Sequence, residues 1–597
     1  MRLPPPLDSL AEANQKIVCD HLTPAWFAAG TCIFRKGAAP DGCYLIESGD
    51  VRLEADADAH VDTERVLGYL RSGSLLGELA LLDGLPRSAS AFAETEVRAQ
   101  HLSTSALAKL RAEWPQIGIG LLEALGRVAS VKLREMTERF AEVNFPEAAD
   151  PEVNRDVAKA AEAQRAFARW PEERVDVLLA ALANAVAGHA EPLARATVEE
   201  TGIGNITDKT SKNIYASLGV YRSLAGKVGQ GIVATDPDNL LTEIASPAGV
   251  VFALVPVTNP VATAVFKTLI SLKSRCALIL SFHHACLGVG NMVCALMQSV
   301  LDQNGAPPNL LQWVRERSSR RKTAQFMGHN DVSLILATGG AAMVEAAYSS
   351  GTPALGVGPG NCPTYVAADA DIDAAARAIV ESKPYDNGLI CGAEHNLVVD
   401  LNVRAAFVEA LDRHGAAVLA EAEANRLMSR AVTPDGRHFD RRIVGQTAQV
   451  IAAAVGIKRE YVVKLIVIPA PSDAIERQSA LAGEKLAPVL SLFTVQSENE
   501  ALDLCRRLLA FQGAGHTASI HTRSPDRAER FALHLPASRI LVNSPAVQGV
   551  CGMTTKLAPS FTLGCGTFGG NSTTDNVSYR NLQNIKRLAF AAGAKAD

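Results

Sequence analysis

Aromatic side chains are scarce, at 5% of 597 residues. That disfavours an aromatic-rich β-sandwich and suits the Ala- and Gly-rich packing of α/β layers. There is no surplus of basic charge: 58 Lys and Arg stand against 63 Asp and Glu, a net charge of −5, which argues against nucleic acid as the main partner. The 11 cysteines and 13 histidines form no CxxC pair and no cluster at zinc spacing, so neither a disulfide framework nor a metal site is expected. The N-terminus, MRLPPPLDSLAEANQK, has no basic stretch followed by an apolar one, so no secretory signal is expected. A long uncharged stretch from Ile244 to Phe266 contains Pro247, Pro256, Asn259 and Pro260. It reads as buried strand plus loop rather than as a membrane-spanning helix. These absences predict a cytoplasmic chain that binds neither membrane nor nucleic acid.

What is present is size and apolar content. At 48% hydrophobic and 20% charged residues the chain can bury several cores, about three to five domains at roughly 150 residues each. Composition changes near residue 145. Before it, short alternating runs at 42–54 (GCYLIESGDVRLE), 65–70 and 96–102 read as β-hairpin strands, with turns at Gly37, Gly49 and Asp83-Gly84. Ser103 to Phe140 reads as one helix, and the acidic, proline-containing 144–153 (NFPEAADPEV) as a linker. After it, helical runs at 155–190, 260–273, 289–303 and 371–382 alternate with apolar runs VVFALV (250–255), ALILSF (277–282), VSLILAT (332–338) and NLVVDL (396–401). That alternation predicts βαβ units around a mostly parallel sheet.

In the first half, Gly77 to Ala91 (GELALLDGLPRSASA) places a turn glycine and a carboxylate at a short helix start, then an arginine beside a serine. Backbone N–H groups at Gly77 and Glu78 suit an anion. Arg87 and Ser88 can donate to a phosphate, and Glu78 can accept from a ribose hydroxyl. A surface ion pair of Glu78 with Arg87 is the plainer alternative. The segment, with IFRKGAAPDGCYLIESGDVRLE (33–54) before it, resembles the phosphate-binding cassette of cyclic-nucleotide-binding domains over about residues 15–140. The resemblance implies an eight-stranded jelly-roll barrel with Glu78 on the ribose and Arg87 on the cyclic phosphate of cAMP or cGMP. A very different domain follows, with no helix-turn-helix, so DNA binding is not expected.

In the second half one cysteine stands apart. Cys391, in YDNGLICGAEH (385–395), follows a turn-rich lead-in and precedes small and polar residues. Read as a loop-to-helix junction, the position would lower the thiol's pKa through the helix N-terminus. The segment DNGLICGAEHNLVV resembles the catalytic-cysteine motif of CoA-acylating aldehyde dehydrogenases. Further matches follow in order at 255–275, 335–363, 483–493, 513–522 and 557–577, spanning about 155–590. The resemblance implies that Cys391 attacks the aldehyde carbon, that the Asn259 amide and the cysteine's N–H stabilise the oxyanion, and that hydride passes to NAD or NADP, leaving a thioester. It further implies that Glu484 holds the nicotinamide ribose. Gly339 and Gly340, after Thr338, open a helix behind a strand as a pyrophosphate requires. Ser281 lies where many relatives place a lysine. His516 is expected to assist proton transfer, or to be a histidine packed at a strand start. His395 could share a face with Cys391 if that segment is helical, and His283 and His284 are poorly arranged to hold a metal.

Hydrolytic relatives carry a water-activating glutamate in a Glu-Leu-Gly-Gly motif. Here the matching position is Gly356 or Val357 in GVGPGN, and no carboxylate lies between Glu345 and Asp369. A thioester without that base should survive until a thiol such as coenzyme A arrives. The expected product is acyl-CoA, with acetaldehyde the default aldehyde. A hydrolytic dehydrogenase and a nucleotide sensor with an inactive scaffold are the alternatives. About 20 residues follow Val577, so no alcohol dehydrogenase half is expected on this chain. The expected layout is a nucleotide-binding domain (1–145), linker (146–154), Rossmann-like cofactor domain (155–356), α/β catalytic domain (357–555) and a returning C-terminal segment (556–597). Oligomers are expected through an added β-segment near 240–250.

Overall fold

The computed structural model describes residues 12–54, 66–144, 150–236, 238, 241–433 and 436–591. The first eleven residues and 145–149, the middle of the expected linker, lie outside the described residues. The chain forms two compact units, Met1–Ala148 and Ala149–Asp597.

Among its described residues the first unit holds eight strands: β1 (Thr23–Phe27), β2 (Cys32–Phe34), β3 (Gly42–Ser48), β4 (Val51–Glu54), β5 (Val66–Leu70), β6 (Leu75–Leu76), β7 (Ser90–Ala93) and β8 (Val97–Ser103). They form two four-stranded antiparallel sheets, ordered β1-β8-β3-β6 and β2-β7-β4-β5. Tyr44, Ile46, Val51, Ala91 and Val97 make one apolar cluster. The helix expected over 103–140 is two helices, Thr104–Glu113 and Pro115–Asn144. Pro115 has no N–H to continue the first helix and takes the first position of the second, where none is needed. The expected linker is also shorter than read. Asp150 caps a helix that begins at Pro151, its carboxylate accepting from the Glu152 N–H.

In the second unit β9 (Gly231–Asp236), β10 (Leu241–Pro247) and a late strand form one antiparallel sheet. The strands β11 (Val250–Val255), β12 (Ala277–Phe282), β13 (Leu311–Trp313), β14 (Val332–Thr338) and β15 (Ala354–Val357) form a parallel sheet in the order β13-β12-β11-β14-β15. A seven-stranded parallel sheet follows, from β16 (Cys362–Val366), β17 (Glu394–Asp400), β18 (Ala416–Val418), β19 (Leu465–Pro469), β20 (Val489–Val495), β21 (Gly515–His521) and β22 (Ala537–Val542). Its order is β18-β19-β20-β17-β16-β21-β22. The late strand, β23 (Gln583–Ala589), pairs with β10. Every residue of β11 and β12 is buried, so these strands read as unbroken apolar runs because helices cover both faces. The helical run expected at 155–190 breaks at Trp170-Pro171 into Pro151–Phe167 and Glu172–Gly188.

Among the described residues, His284–Gln303 is long and apolar enough to cross a bilayer, and Glu172–Gly188 with Ala190–Thr201 passes as a bent pair. Val289, Val293, Met297 and Leu301 of the first lie in the core around the five-stranded sheet. Packing between layers accounts for their hydrophobicity.

Candidate active site and nucleotide cassette

Two sheet edges supply the second unit's site. Asn259, Ser281 and Thr338 sit at or just beyond the carboxyl ends of β11, β12 and β14, the edge where open parallel sheets bind ligands. Cys391, Glu484 and His516 sit at the amino ends of β17, β20 and β21 in the other sheet.

The cysteine turn is built under constraint. Asp386 (φ 47°) and Asn387 (φ 55°) are left-handed without being glycine. Gly388 follows at φ 79°, where a Cβ would lie 2.5 Å from the Ala487 backbone. Such backbone costs of order 1–3 kcal/mol per residue, and hydrogen bonds secure it. The Asp386 N–H donates to Asp208 Oδ2 at 2.8 Å, and Asn387 Nδ2 donates to the Gly445 carbonyl at 2.8 Å. Cys391 is half-buried, and a Cβ on Gly360 would lie 1.8 Å from its carbonyl oxygen. The GVGPGN segment therefore packs directly on the cysteine.

The expected helix after Cys391 is absent. Gly392 and Ala393 lead into β17, buried along its whole length. No helix N-terminus lowers the thiol's pKa. Burial pushes it up, the Glu484 charge adds to that, and Arg539 pulls the other way. His395 accordingly shares no helical face with Cys391. It is a buried strand residue whose Nδ1 accepts from the Lys485 N–H at 2.8 Å.

Asn259 stands at the cap position of helix Pro260–Lys273 but makes no side-chain capping bond. Its Oδ1 accepts from the Lys212 ammonium, and its Nδ2 donates to Thr258 Oγ1 at 3.2 Å. His516 is buried at the start of β21, with Nδ1 2.9 Å from Thr517 Oγ1 and Nε2 without a partner among the described residues. Burial, helped by Arg539, brings its pKa down to about 3, so the imidazole is neutral at physiological pH. Glu484 accepts from the Gly360 N–H at 3.2 Å, and its own N–H donates to Gln512 Oε1 at 2.7 Å. Gly339 and Gly340 follow β14 and open helix Ala341–Tyr348, which has no side-chain cap. Ser281 is buried in β12, and Thr338 Oγ1 lies 3.5 Å from Thr562 Oγ1.

Sequence reasoning missed the charges beneath these groups. Lys209 and Lys212, three apart on helix Ile206–Ile214, are both buried. Both donate to Asp386 Oδ2, Lys209 at 3.0 Å. Burial, with the Lys212 charge, brings the Lys209 pKa down to about 8. Arg539 is 3% exposed and donates to the carbonyls of His516 at 2.7 Å and Gly564 at 2.6 Å. These partners lie far apart in sequence, and the only local signal was the lysine spacing.

In the first unit, Glu78 opens helix Glu78–Asp83 and is 3% exposed, while Arg87 is 2% exposed. A surface ion pair between them is therefore ruled out. Arg87 pairs with Asp41 and donates to the carbonyls of Gly42 at 2.7 Å and Gly77 at 2.9 Å. Its guanidinium lies 4.2 Å from the centre of the Phe34 ring, and its buried Nε has no partner among the described residues. Gly77 (φ 82°) must lack a Cβ, which would sit 2.1 Å from Arg87 Nη1. Ser88 is exposed in the following turn.

Known proteins repeat this division. Residues 24–113 match the cyclic nucleotide-binding domain and residues 136–555 the aldehyde dehydrogenase family. The chain is 39% identical over 450 residues to aldehyde-alcohol dehydrogenase 2 of Entamoeba histolytica, covering 74% of this chain and 51% of that protein. It thus spans about half the length of the curated aldehyde-alcohol dehydrogenases it matches. Among solved structures it is similar to an acetylating aldehyde dehydrogenase from Geobacillus thermoglucosidasius (TM-score 0.71, 37% identity, 75% of this chain and 98% of that one). It is also similar to a propionaldehyde dehydrogenase from Rhodopseudomonas palustris with bound CoA and an acylated cysteine (TM-score 0.67, 26% identity, 73% and 97%).

Proposed function

The chain belongs to the aldehyde dehydrogenase family, and from that premise we propose that it is a CoA-acylating enzyme: aldehyde, CoA and NAD(P)+ in equilibrium with acyl-CoA and NAD(P)H. One observation carries the reading. The segment packed on Cys391 is the one where hydrolytic relatives hold their water-activating glutamate, and here it offers only Gly, Val, Pro and Asn. That segment then offers no base to recruit water to a thioester on Cys391, and a thiol is the acceptor that completes the reaction. The similarity to an acetylating enzyme and to one with bound CoA supports this acceptor. Acetaldehyde is the proposed substrate, and acyl-CoA reduction is the same reaction run backwards.

In this reading the Cys391 thiolate adds to the aldehyde carbon, and the Asn259 Nδ2 and the Cys391 N–H receive the oxyanion. His516, neutral and buried with a free Nε2, accepts a proton rather than donates one. The residues fit a dinucleotide. The uncapped helix start after Gly339-Gly340 supplies N–H donors for a pyrophosphate, Thr338 and Ser281 line the same sheet edge, and Glu484 stands beside the cysteine turn for the ribose. When bound, the nicotinamide accepts the hydride.

The proposed layout keeps the five segments expected from the sequence. The two antiparallel sheets of the first unit are read as a jelly-roll barrel holding cAMP or cGMP, with Gly77, Glu78, Arg87 and Ser88 at the ligand. The nucleotide acts as an effector by binding two enzyme states unequally. The β9–β10–β23 sheet, exposing Ile232 and Leu588, supports assembly into homo-oligomers. The test is NAD(P)H formation across an aldehyde panel, with and without CoA and each cyclic nucleotide. CoA-dependent turnover is expected. Equal rates without CoA would replace the acylating reading with a hydrolytic one, and kcat and KM unmoved by either saturating nucleotide would end the regulatory one.

A further inference from the structure

An asparagine amide has two flips, and only one of them turns an N–H toward an oxyanion. The surroundings of Asn259 decide between them. Lys212 is 1% exposed and its ammonium contacts Asn259 Oδ1. An ammonium has donors and no acceptor, so the amide atom facing it must be the oxygen. The nitrogen is thereby turned to the opposite side, where one N–H goes to Thr258 Oγ1 and the second is left for a ligand. Lys209 secures the main chain of the same loop, donating to the Thr258 carbonyl at 3.0 Å.

The same two lysines reach the cysteine turn. Asp386, with no exposed surface, accepts from Lys209 and Lys212 through Oδ2 and from the Asn205 N–H through Oδ1 at 3.1 Å. It stands five residues before Cys391, in the left-handed turn. We infer that Lys212 is a positioning residue: it sets the flip of the Asn259 amide and, through Asp386, ties that amide to the turn carrying Cys391. The inference rests on the reading of Cys391 as nucleophile and Asn259 as its oxyanion donor. Because Lys209 also pairs with Asp386, removing Lys212 does not strand a buried carboxylate, which would cost more than the lost orientation.

The test compares two reactions of Cys391 in the full chain, with Cys391→Ala as blank. In acylation by p-nitrophenyl acetate the thiolate adds to the ester carbonyl, an oxyanion forms and collapses, and p-nitrophenolate leaves. In alkylation by iodoacetamide the thiolate displaces iodide at a saturated carbon and no oxyanion forms. Lys212→Met should slow acylation at least about 10-fold, approaching the roughly 10²-fold loss expected for Asn259→Ala, with alkylation changed less than about 3-fold. The double variant should acylate no more slowly than Asn259→Ala alone, since both act through one amide. Lys212→Gln, whose own amide dictates no flip, should separate the rates in the same sense if Lys212→Met does not fold. Parallel loss of both rates would make Lys212 merely structural, and unchanged acylation would also overturn the inference. Neither reaction uses aldehyde, CoA or nicotinamide, so a chain without dehydrogenase turnover would defeat the proposed function separately.

Discussion

Beside each candidate site lies an arginine buried almost completely, Arg87 in the first unit and Arg539 in the second, and the two are neutralised in opposite ways. Arg87 pairs with Asp41, whose side chain is 57% exposed. An incoming phosphate would displace a partly solvated carboxylate, a modest exchange of one anion for another. Among the described residues Arg539 has no carboxylate among its hydrogen bonds and is held by main-chain carbonyls and the Thr517 hydroxyl. Its charge cannot be handed over, and its field falls on Cys391, Cys551 and Cys565. On the proposed function, one site is arranged for a ligand that comes and goes, the other for a reaction that recurs at one fixed atom.

The largest effect should come from removing that atom. Cys391→Ala is expected to lower CoA-dependent NAD(P)H formation by at least about 10³-fold, while cyclic-nucleotide binding, followed by calorimetry, keeps its wild-type affinity. Turnover surviving the substitution would end the comparison, because the second unit would then hold no fixed reactive atom.

The next effect lies in the first unit. Arg87→Gln should raise the Kd of cAMP or cGMP on the order of 100-fold, since charge-assisted bonds to a phosphate are worth up to about 3 kcal/mol. Unchanged affinity would mean that Arg87 serves only the contacts already visible, with Asp41, Gly42, Gly77 and Phe34.

Strand and helix positions were legible where burial is two-sided. The runs at 250–255, 277–282 and 332–338 coincide with β11, β12 and β14 to the residue, because a strand covered on both faces has no polar alternation to blur it. The helix breaks at Pro115 and Pro171 were missed although both prolines were in view, since the apolar pattern runs on through them. The segment after Cys391 misled for another reason. Glu394 and His395 read as helical polarity, yet both are buried in β17, where the Ser382 hydroxyl and the Ala546 N–H donate to Glu394 and the Lys485 N–H donates to His395 Nδ1. The Lys209–Lys212–Asp386 cluster was invisible because 177 and 174 residues separate its partners. Periodicity reports which face is buried but not what a buried charge meets there.

The smallest effect per step, and the one that divides the two units most cleanly, is pH dependence. Burial holds the Cys391 thiol above its ordinary value of 9.0. A raised thiol pKa favours the neutral form, so the thiolate fraction grows about tenfold for each pH unit below that value. Alkylation of Cys391 by iodoacetamide should therefore rise about tenfold per unit between about pH 7 and pH 9 without levelling. Asp41 runs the other way. Burial pulls it up, but hydrogen bonds from Tyr44 and Arg87 outweigh that and hold its carboxyl below the ordinary 3.8. It stays ionised across the same range, so the Asp41–Arg87 pair is constant there and cyclic-nucleotide affinity should be flat. A plateau in alkylation near pH 7 would show a thiol activated despite its burial, with a positive field at Cys391 stronger than Arg539 supplies. Nucleotide affinity that moved in step with it would erase the distinction between an exchangeable counterion and a fixed one.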